Sequence, residues 1–561
     1  MTTNLHPQNF SRETSLTLGS RWRYAALVIT ELRLKNARLY EGSKWTFPLS
    51  NLTILCGTNS AGKSTVLKSL LLLRENLLRA HTYSTQSVPR LRFSTSFMDL
   101  GNFKSFVSHN ETSRDLYLGV SITALMDIDN YRQLDPRINE DLSEDQENIE
   151  SPEYSLNADF CFGQRLESMA KAGSSAETKQ LSSDDNEEDS SAEHRAILKH
   201  ASFAIHANDG RSLLSFSVII KQNEQSGTAQ FFLRLPKAYA LASTEISQAE
   251  LVEDDDPDYV LFRVLMSSIV PDRIFARPRL AEISSEDIST RPWPLPSHVE
   301  EVLADLRNEM NRIIYLGPLR APAKRYYPVQ ADINLQADVT GESLPYLLRD
   351  RLSSAVISAD PVTHRRTRAR LSDALNSWLY FLRTGDTYDL QLFTNREFRI
   401  NSLQDVLVEM GIKSVDGVET HALADSGFGY SQLLPILVRG LMLQAGTTMI
   451  IEQPEVHLNP ALQVRLANFL VAMASVGKQI LIETHSEHVV NSVRAIAAER
   501  DGESVSQNCT VIYLESVQGV PKLHTLSVLP DGTVPDWPPS FFGESSQLLG
   551  RILKAQRLRK K

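Results

Sequence analysis

The chain has 561 residues, of which 42% are hydrophobic and 22% charged, and its formal net charge is −10. This length predicts two to four domains at roughly 150 residues each, and the acidic balance excludes a whole-molecule basic field that would attract nucleic acid. The three cysteines are far apart and lack metal-site spacing. Met1 to Ser20 has no apolar signal-peptide core, and no stretch has the ~18 apolar residues of a membrane span. A reducing, cytoplasmic location is therefore expected.

The N-terminal part of the chain predicts a loose polar arm over residues 1–20, followed by short strands. Apolar runs at 26–29, 45–49 and 52–56 are separated by turn residues and predict a small sheet. Further strands are expected at 91–93, 105–107 and 116–120.

The segment Gly57–Ser64 fits G-x-x-x-x-G-K-[ST], the phosphate-binding P-loop, between a buried strand and a helix predicted over 65–78. Its glycines allow backbone N–H groups to curl around a phosphate, and the helix N-terminus adds positive potential. Lys63 is expected to bind the β- and γ-phosphates of ATP, and the Ser64 hydroxyl to hold Mg²⁺. The rest of the predicted cradle comprises Asn59, Ser60, Ala61, Gly62 and Thr65.

The middle of the chain changes character twice. Residues 126–195 are acidic and serine-rich, which predicts a largely mobile insertion because such runs bury little apolar surface. Strands are expected to resume at 201–205, 214–220 and 230–235, and helices are predicted over 259–268, 297–312 and 363–383.

The C-terminal part alternates strands with helices, which predicts a parallel sheet flanked by helices and therefore an α/β fold. Strands are expected at 447–451, 479–482 and 510–514, with helices over 460–476 and 487–498. The predicted units are 1–125 and 311–515 as two halves of one domain, 126–195 as the acidic insertion, 196–310 as an inserted β/α region, and 516–561 as a small C-terminal segment.

Three further segments complete a candidate ATP site. Glu452 closes an apolar strand, a Walker B arrangement whose carboxylate can orient Mg²⁺ beside the P-loop. His485 follows the next strand, where an imidazole can bond the γ-phosphate. Ser426 and Gly429 lie in a segment directly before a helix expected to start at Leu433, which makes a second phosphate-binding surface or an ordinary helix cap.

In chain order, the four elements are the P-loop, the segment with Ser426 and Gly429, Glu452, and His485. This order resembles that of the ABC-type ATPases, and most closely the branch that contains RecF, SMC and OLD-type proteins. The resemblance implies that Ser426–Gln432 is a divergent signature motif and that Glu455–Pro460, the segment after Walker B, forms the D-loop. It also implies a homodimer or higher oligomer in which ATP lies between the P-loop of one subunit and the signature motif of its partner.

A tighter resemblance links Tyr315–Arg320, Gly427–Gln432 and Asp531–Phe542 to prokaryotic antiphage ATPases of the Septu and retron-associated type, which carry a small C-terminal domain. It covers residues 1–125 and 310–561. It implies an ATP-binding and ATP-hydrolysing regulatory subunit that controls a separate effector protein such as an HNH nuclease. A RecF- or OLD-like repair ATPase and a nucleotide-gated scaffold with little hydrolysis remain the alternatives.

One departure from the family pattern concerns catalysis. Gln453 stands where a glutamate base normally follows the Walker B acid, and an amide cannot act as a general base. Either hydrolysis is slow, or Glu455 or His485 activates the water.

Basic and aromatic clusters indicate candidate partner surfaces. The run 364–370 is expected on a helix and the tail 554–561 is basic; each either contacts nucleic-acid phosphates or is a solvated surface. Arg320, Lys324 and Arg325 are expected to face the nucleotide site or DNA. The aromatics of the C-terminal segment, Trp537, Phe541 and Phe542, either form a docking surface or pack on the ATPase lobe.

Overall fold

In the computed structural model, the described residues are 28–78, 89–95, 98–127, 130–131, 134, 152–164, 196–222, 229–242, 252–275, 292–328, 338–384, 398–403, 407–413, 420–425, 428–538, 548, 550–552 and 554–556. The predicted N-terminal arm and most of the predicted acidic insertion lie outside these residues. No helix in the described ranges is long and apolar enough to cross a membrane.

The described strands and helices follow one another as the α/β prediction requires. The strands are β1 (Val28–Lys35), β2 (Trp45–Pro48), β3 (Leu52–Gly57), β4 (Leu116–Leu125), β5 (Glu153–Gln164), β6 (Ala196–Ala207), β7 (Ser212–Gln222), β8 (Ala229–Pro236), β9 (Val252–Glu253), β10 (Tyr259–Met266), β11 (Pro271–Ile274), β12 (Trp293–Pro294), β13 (Ile314–Leu316), β14 (Tyr327–Pro328), β15 (Ala355–Ala359), β16 (Arg366–Arg370), β17 (Phe398–Leu403), β18 (Leu407–Lys413), β19 (Thr420–Ala422), β20 (Thr448–Glu452), β21 (Gln479–Glu483), β22 (Cys509–Val517) and β23 (Val520–Ser527). The helices are α1 (Lys63–Leu78), α2 (Phe103–Phe106), α3 (Lys237–Ala242), α4 (Ser297–Asn311), α5 (Leu344–Arg351), α6 (Leu371–Thr384), α7 (Phe428–Met442), α8 (Pro460–Ser475), α9 (Glu487–Ile496) and α10 (Gly502–Asn508).

A mainly parallel sheet carries the candidate site, in the strand order β13-β20-β21-β3-β22-β23. All neighbours in this order pair in parallel except β22 and β23. The strand that ends at Glu483 therefore lies between the P-loop strand and the Walker B strand. The carboxyl ends of these three strands meet at one edge, where ligands bind in open α/β sheets.

Side-chain alternation along the parallel strands separates two hydrophobic cores. Ile450, Leu481 and Leu55 point to a core shared with α1, α4 and the antiparallel sheet. Their neighbours Ile451 and Ile482 point to the opposite core, which contains the buried faces of α6 to α9. The near-continuous apolar strands follow from this burial on both faces.

A large antiparallel sheet covers the first core, in the order β12-β11-β10-β8-β7-β6-β5-β4-β1-β2, with β9 paired to β10. The buried side chain of Gln479 connects the two sheets: its Oε1 accepts from Ile29 N at 3.2 Å, and its Nε2 donates to Ile29 O at 2.7 Å. A side-chain amide here takes the place of a strand partner, so the start of β21 is fixed to β1.

The structure corrects several predicted elements. The segment predicted as a helix over 259–268 is mostly strand β10, and residues 105–107, predicted as a strand, include the end of α2. The helix predicted over 363–383 begins only at Leu371, because residues 366–370 pair with β15 as strand β16. Within the predicted acidic insertion, residues 153–164 form β5, paired with β4 and β6.

Candidate nucleotide-binding site

The P-loop connects β3 to α1 through a backbone that requires glycine. Gly57 has φ 130°, and a Cβ built on it would lie 1.9 Å from the backbone oxygen of Leu514 on β22. Gly62 has φ 94°, and a Cβ there would lie 2.7 Å from the hydroxyl of Tyr40. The loop thus closes against the sheet at both of its glycines, while Asn59 and Ser60 are exposed toward solvent.

Lys63 lies within the loop that it is expected to serve. Only 3% of its surface is exposed, and its Nζ donates to the carbonyl oxygens of Gly57 at 3.1 Å and Thr58 at 2.7 Å. Burial lowers the pKa of Lys63. Ala61 and Thr65, from the predicted cradle, are buried beside it. The ammonium group is therefore held at the mouth of the loop by groups that a phosphate oxygen can replace.

Two carboxylates adjoin Ser64. Glu452 and Glu483 are register partners at the ends of β20 and β21, and the Ser64 hydroxyl donates to Glu483 Oε1 at 2.9 Å. Glu452 Oε1 accepts from the hydroxyl of Tyr315 at 2.8 Å and lies 3.9 Å from Lys68 Nζ. Burial, reinforced by the charge of Glu452, raises the pKa of Glu483.

The donor set around Ser64 fits Mg²⁺. The second oxygen of Glu483 is buried without a hydrogen-bond partner in the described part of the chain. Mg²⁺ is typically held by one or two carboxylates together with substrate phosphates rather than by an all-protein cage. The described ranges contain no group of three or more His, Cys, Asp or Glu side chains placed to hold a metal. Ser64, Glu452 and Glu483 would hold the ion.

The amide of Gln453 and the carboxylate of Glu455 differ in placement. Gln453 adopts φ 46°, and its backbone N donates to Glu483 O at 2.7 Å. Glu455 Oε1 accepts from the backbone N of His485 at 2.7 Å, and its Oε2 is buried without a hydrogen-bond partner in the described ranges. Burial raises the pKa of Glu455. The structure therefore brings a carboxylate, rather than the amide, against the His485 backbone.

His485 lies two residues after the end of β21 and is exposed. Burial of part of its ring, and then the charge of Lys63, lower its pKa. The imidazole is therefore neutral near pH 7 and can either donate or accept one hydrogen bond.

Gln432, the last residue of the signature-like segment 426–432, is linked through Arg320 to β20, the strand that ends at Glu452. Ser426 lies outside the described residues, while Gly429 is in the first turn of α7, where a Cβ would lie 3.6 Å from His457 O. Gln432 Nε2 donates to Arg320 O at 3.4 Å, and Arg320 Nη2 donates to Glu452 O at 3.0 Å. Arg320 is buried, which lowers its pKa to about 10.

Of the three basic residues expected to face the nucleotide site or DNA, Arg320 alone contacts the candidate site in these hydrogen bonds. Lys324 pairs with Glu342 at 2.6 Å, and Arg325 pairs with Asp425 at 2.9 Å. Sequence reasoning missed Glu483. The signal was present, since each of two neighbouring parallel strands ends in a glutamate.

Residues 338–490 match the family model described as AAA ATPase domain. The matched range contains Gly429, Glu452 and His485, and it supports the prediction of an ATPase in this half of the chain. Among curated proteins, none matches the sequence.

Three solved structures are similar to this chain. The SMC head domain from Thermotoga maritima has 9% identity and a TM-score of 0.32, over 89% of this chain and 100% of that one. An SMC head bound to the C-terminal winged-helix domain of ScpA has 11% identity and a TM-score of 0.34, over 89% and 98%. An SMC head with an extended coiled coil, bound to the C-terminal domain of ScpA from Pyrococcus furiosus, has 10% identity and a TM-score of 0.33, over 94% and 99%.

Proposed function

We propose that this chain binds Mg²⁺–ATP at the carboxyl edge of its parallel sheet and hydrolyses it slowly. The observation that carries the proposal is the convergence of Lys63, Ser64, Glu452 and Glu483 around one loop. Together they offer a cation for phosphate oxygens and three oxygen ligands for a hard divalent ion. Bound Mg²⁺ supplies charge neutralisation for phosphoryl transfer.

The residues of the chain have separate roles in this proposal. Lys63 exchanges its bonds to the loop carbonyls for phosphate oxygens. Glu455, whose Oε2 lacks a hydrogen-bond partner in the described ranges, accepts a proton from the attacking water. His485, as a neutral imidazole, donates one hydrogen bond to a terminal phosphate oxygen. Gln453 can orient water but cannot take its proton, which favours slow turnover and a conformational role for ATP.

The test of the site is the Lys63→Ala variant, with Lys44→Ala, an exposed lysine in the loop before β2, as the matched control. Isothermal titration calorimetry with ATP and Mg²⁺ should show loss of binding for Lys63→Ala and unchanged binding for the control. Binding by Lys63→Ala within about twofold of wild type rules out this site, since one lost charge-assisted hydrogen bond costs about 1.5–3 kcal/mol.

We propose further that ATP lies between two subunits. The proposal is supported by the presence of a P-loop and a signature-like helix on one chain, the arrangement that the resemblance to ABC-type ATPases implies. Gly429→Arg places a long side chain at the start of α7, where a Cβ has ordinary space. Mixing Lys63→Ala subunits with Gly429→Arg subunits should restore ATPase activity through one intact composite site. Confirmed mixed dimers without any activity would count against the sandwich.

The biological role that we propose is that of a regulatory subunit in an antiphage defence complex, in which ATP controls a separate effector nuclease. The motif resemblance at 315–320 and 531–542 supports it. The amide at Gln453 also favours a second candidate, a nucleotide-gated scaffold that holds its partner with little hydrolysis. Co-purification from the native operon tests the role: a small HNH-type nuclease in the complex supports the first candidate, and its absence rejects it. ATPase rates of that complex decide between regulated hydrolysis and scaffolding.

A further inference from the structure

The hairpin β15–β16 carries an unusual charge for this acidic chain. Four arginines and one aspartate stand between Ala355 and Arg370. The aspartate, Asp360, is occupied within the turn, where its Oδ1 accepts from Val362 N at 3.0 Å and from Thr363 N at 2.7 Å. The turn carboxylate is therefore engaged with backbone donors rather than with the arginines.

Strand alternation places three of these arginines on one face of the hairpin. Arg366, Arg368 and Arg370 pair with Ala359, Ile357 and Ala355 on β15, so no acidic residue of that strand lies opposite them. Arg368 and Arg370 are exposed, Arg366 is half-buried, and Arg365 is exposed beside the turn.

The other face of the hairpin anchors it to the ATPase core. Val356 and Ser358 are buried there, and Trp378 Nε1 donates to Ser358 Oγ at 3.3 Å. Strand β15 packs on α6, α7 and α8. Packing and hydrogen bonds therefore hold the hairpin through its inner face, and Arg368 and Arg370 are not buried in that interface.

A buried lysine fixes the hairpin to the signature-like helix. Lys478 has no exposed surface, and its Nζ donates to Ile357 O at 2.6 Å, Gly440 O at 2.9 Å and Leu441 O at 2.9 Å. These carbonyls belong to β15 and to the last turn of α7. Lys478 directly precedes β21, the strand that ends at Glu483. The side chain of Lys478 therefore fixes the hairpin to α7, and its backbone continues into the strand that ends at Glu483.

We propose that the exposed arginines of this hairpin, Arg365, Arg368 and Arg370, which we call the arginine face, bind the phosphate backbone of a nucleic-acid duplex. Alternate strand residues are about 6.8 Å apart, so the guanidinium groups of Arg368 and Arg370 can each reach a different phosphate of one strand. Guanidinium groups pair with phosphates through two parallel hydrogen bonds. Phosphate contacts carry no information about the bases, so this binding is independent of sequence. This inference goes beyond ATP-dependent control of an effector and does not require hydrolysis.

The test measures fluorescence anisotropy of a labelled 30-base-pair duplex of random sequence against the full chain at several KCl concentrations. The triple variant Arg365→Gln, Arg368→Gln, Arg370→Gln, which changes three exposed side chains, should lower the slope of log affinity against log salt by about 3, at about 0.9 per phosphate contact. At about 0.1 M salt its affinity should fall about 100-fold or more. The corresponding triple Arg→Lys variant should keep most of the slope, because it keeps the charges.

A matched control removes three exposed lysines elsewhere, through Lys104→Gln, Lys237→Gln and Lys522→Gln, and should leave the slope nearly unchanged. Thermal unfolding and ATP binding of every variant should equal wild type, since the changed side chains are on the surface. Wild-type chain that fails to bind the duplex at low salt overturns the proposal. An equal loss of duplex affinity in the lysine control also overturns it. Binding of poly-glutamate is measured in parallel, and a hairpin variant that keeps duplex binding but loses poly-glutamate binding would overturn the proposal and assign the face to an acidic protein.

Discussion

Position 453 places an amide where the resemblance to ABC-type ATPases implies a general base, while Glu455 is held against His485 two residues further on. General base catalysis typically contributes about 10²–10⁴-fold in rate. Gln453→Glu is therefore expected to raise turnover by up to that factor, and Glu455→Gln to lower the residual rate. Phosphate release under saturating Mg²⁺–ATP measures both.

The slow-turnover proposal fails under one outcome. If wild type already turns over at tens per second and Glu455→Gln abolishes this rate, Glu455 is a fully effective base. ATP binding by Glu455→Gln must be unchanged in that experiment, so that the loss belongs to the chemical step rather than to affinity.

Glu483 yields a second prediction at the scale of single residues. Glu483→Gln keeps an oxygen that can accept from Ser64 but removes the charge beside Glu452. We expect ATP affinity in Mg²⁺ to fall about 10- to 100-fold, the usual cost of altering the surroundings of a metal ligand. Affinity in EDTA should change little. Glu503→Gln, on exposed α10 surface, is the control, and equal losses with and without Mg²⁺ would assign Glu483 a purely structural role.

The sequence predicted Lys63, Ser64, Glu452 and His485 as site residues because each belongs to a local motif. The sequence does show a glutamate at the end of each of two strands, β20 and β21, but the pairing that sets Glu483 beside Glu452 and the contact made by Arg320 depend on distant segments and could not be predicted. The register of β20 and β21 places Glu483 beside Glu452, and the contact of Arg320 with Glu452 O joins residues 132 positions apart.

At the scale of elements, prediction succeeded where helices and strands alternate and failed where apolar runs have no clear period. The segment that forms β10 is apolar at most positions, which suits a buried helix as well as a strand. Pairing with β8 on one side and β11 on the other makes it a strand. These partners are fixed by tertiary structure, so local pattern alone cannot identify them.

Helix α4 contains a carboxylate whose burial predicts a pH-dependent stability. Glu309 has no exposed surface, neither oxygen has a hydrogen-bond partner in the described ranges, and Arg312 Nη1 is 4.0 Å away. Burial raises the pKa of Glu309 to about 8 from an unperturbed 4.5. Between these values the unfolded chain binds fewer protons than the folded one, so this group lowers stability progressively as pH rises from about 4.5 to about 8.

Glu309→Gln removes the titration while keeping the shape of the side chain. Its melting temperature should exceed that of wild type at pH 8.5 and equal it near pH 4.5. The difference should correspond to a few kcal/mol, at about 1.4 kcal/mol per pKa unit. Glu300→Gln, exposed on the same helix, should show no such difference. A constant offset at both pH values would show that Glu309 does not titrate in this window.

At the scale of the whole molecule, the parallel sheet is a partition between two cores, and the ATP site lies at its carboxyl edge. Gln479 ties the start of β21 to the antiparallel sheet, and Lys478 ties the preceding residue to α7 and the arginine hairpin. Movement at Glu483 or His485 therefore acts on an element connected to both cores. In the proposed function, ATP binding at this edge would shift the parallel sheet relative to the antiparallel sheet and to the helices of the second core.

The proposed regulatory role places the effector in a separate protein and leaves the C-terminal aromatics as candidates for its docking surface. Trp537 packs against the second core with Arg494 over its ring at 4.5 Å, so it is no free docking anchor. Phe541 and Phe542 lie outside the described residues and remain candidates for a partner surface.

We therefore expect the purified chain to leave plasmid and linear DNA intact with ATP and either Mg²⁺ or Mn²⁺, as measured by gel electrophoresis over hours. The complex purified from the native operon should cut under the same conditions, and Lys63→Ala in that complex should change the ATP dependence of cutting. This second result separates control by ATP from mere association. Robust cleavage by the isolated chain, lost on mutating residues outside the ATP site, would instead place the nuclease within this chain.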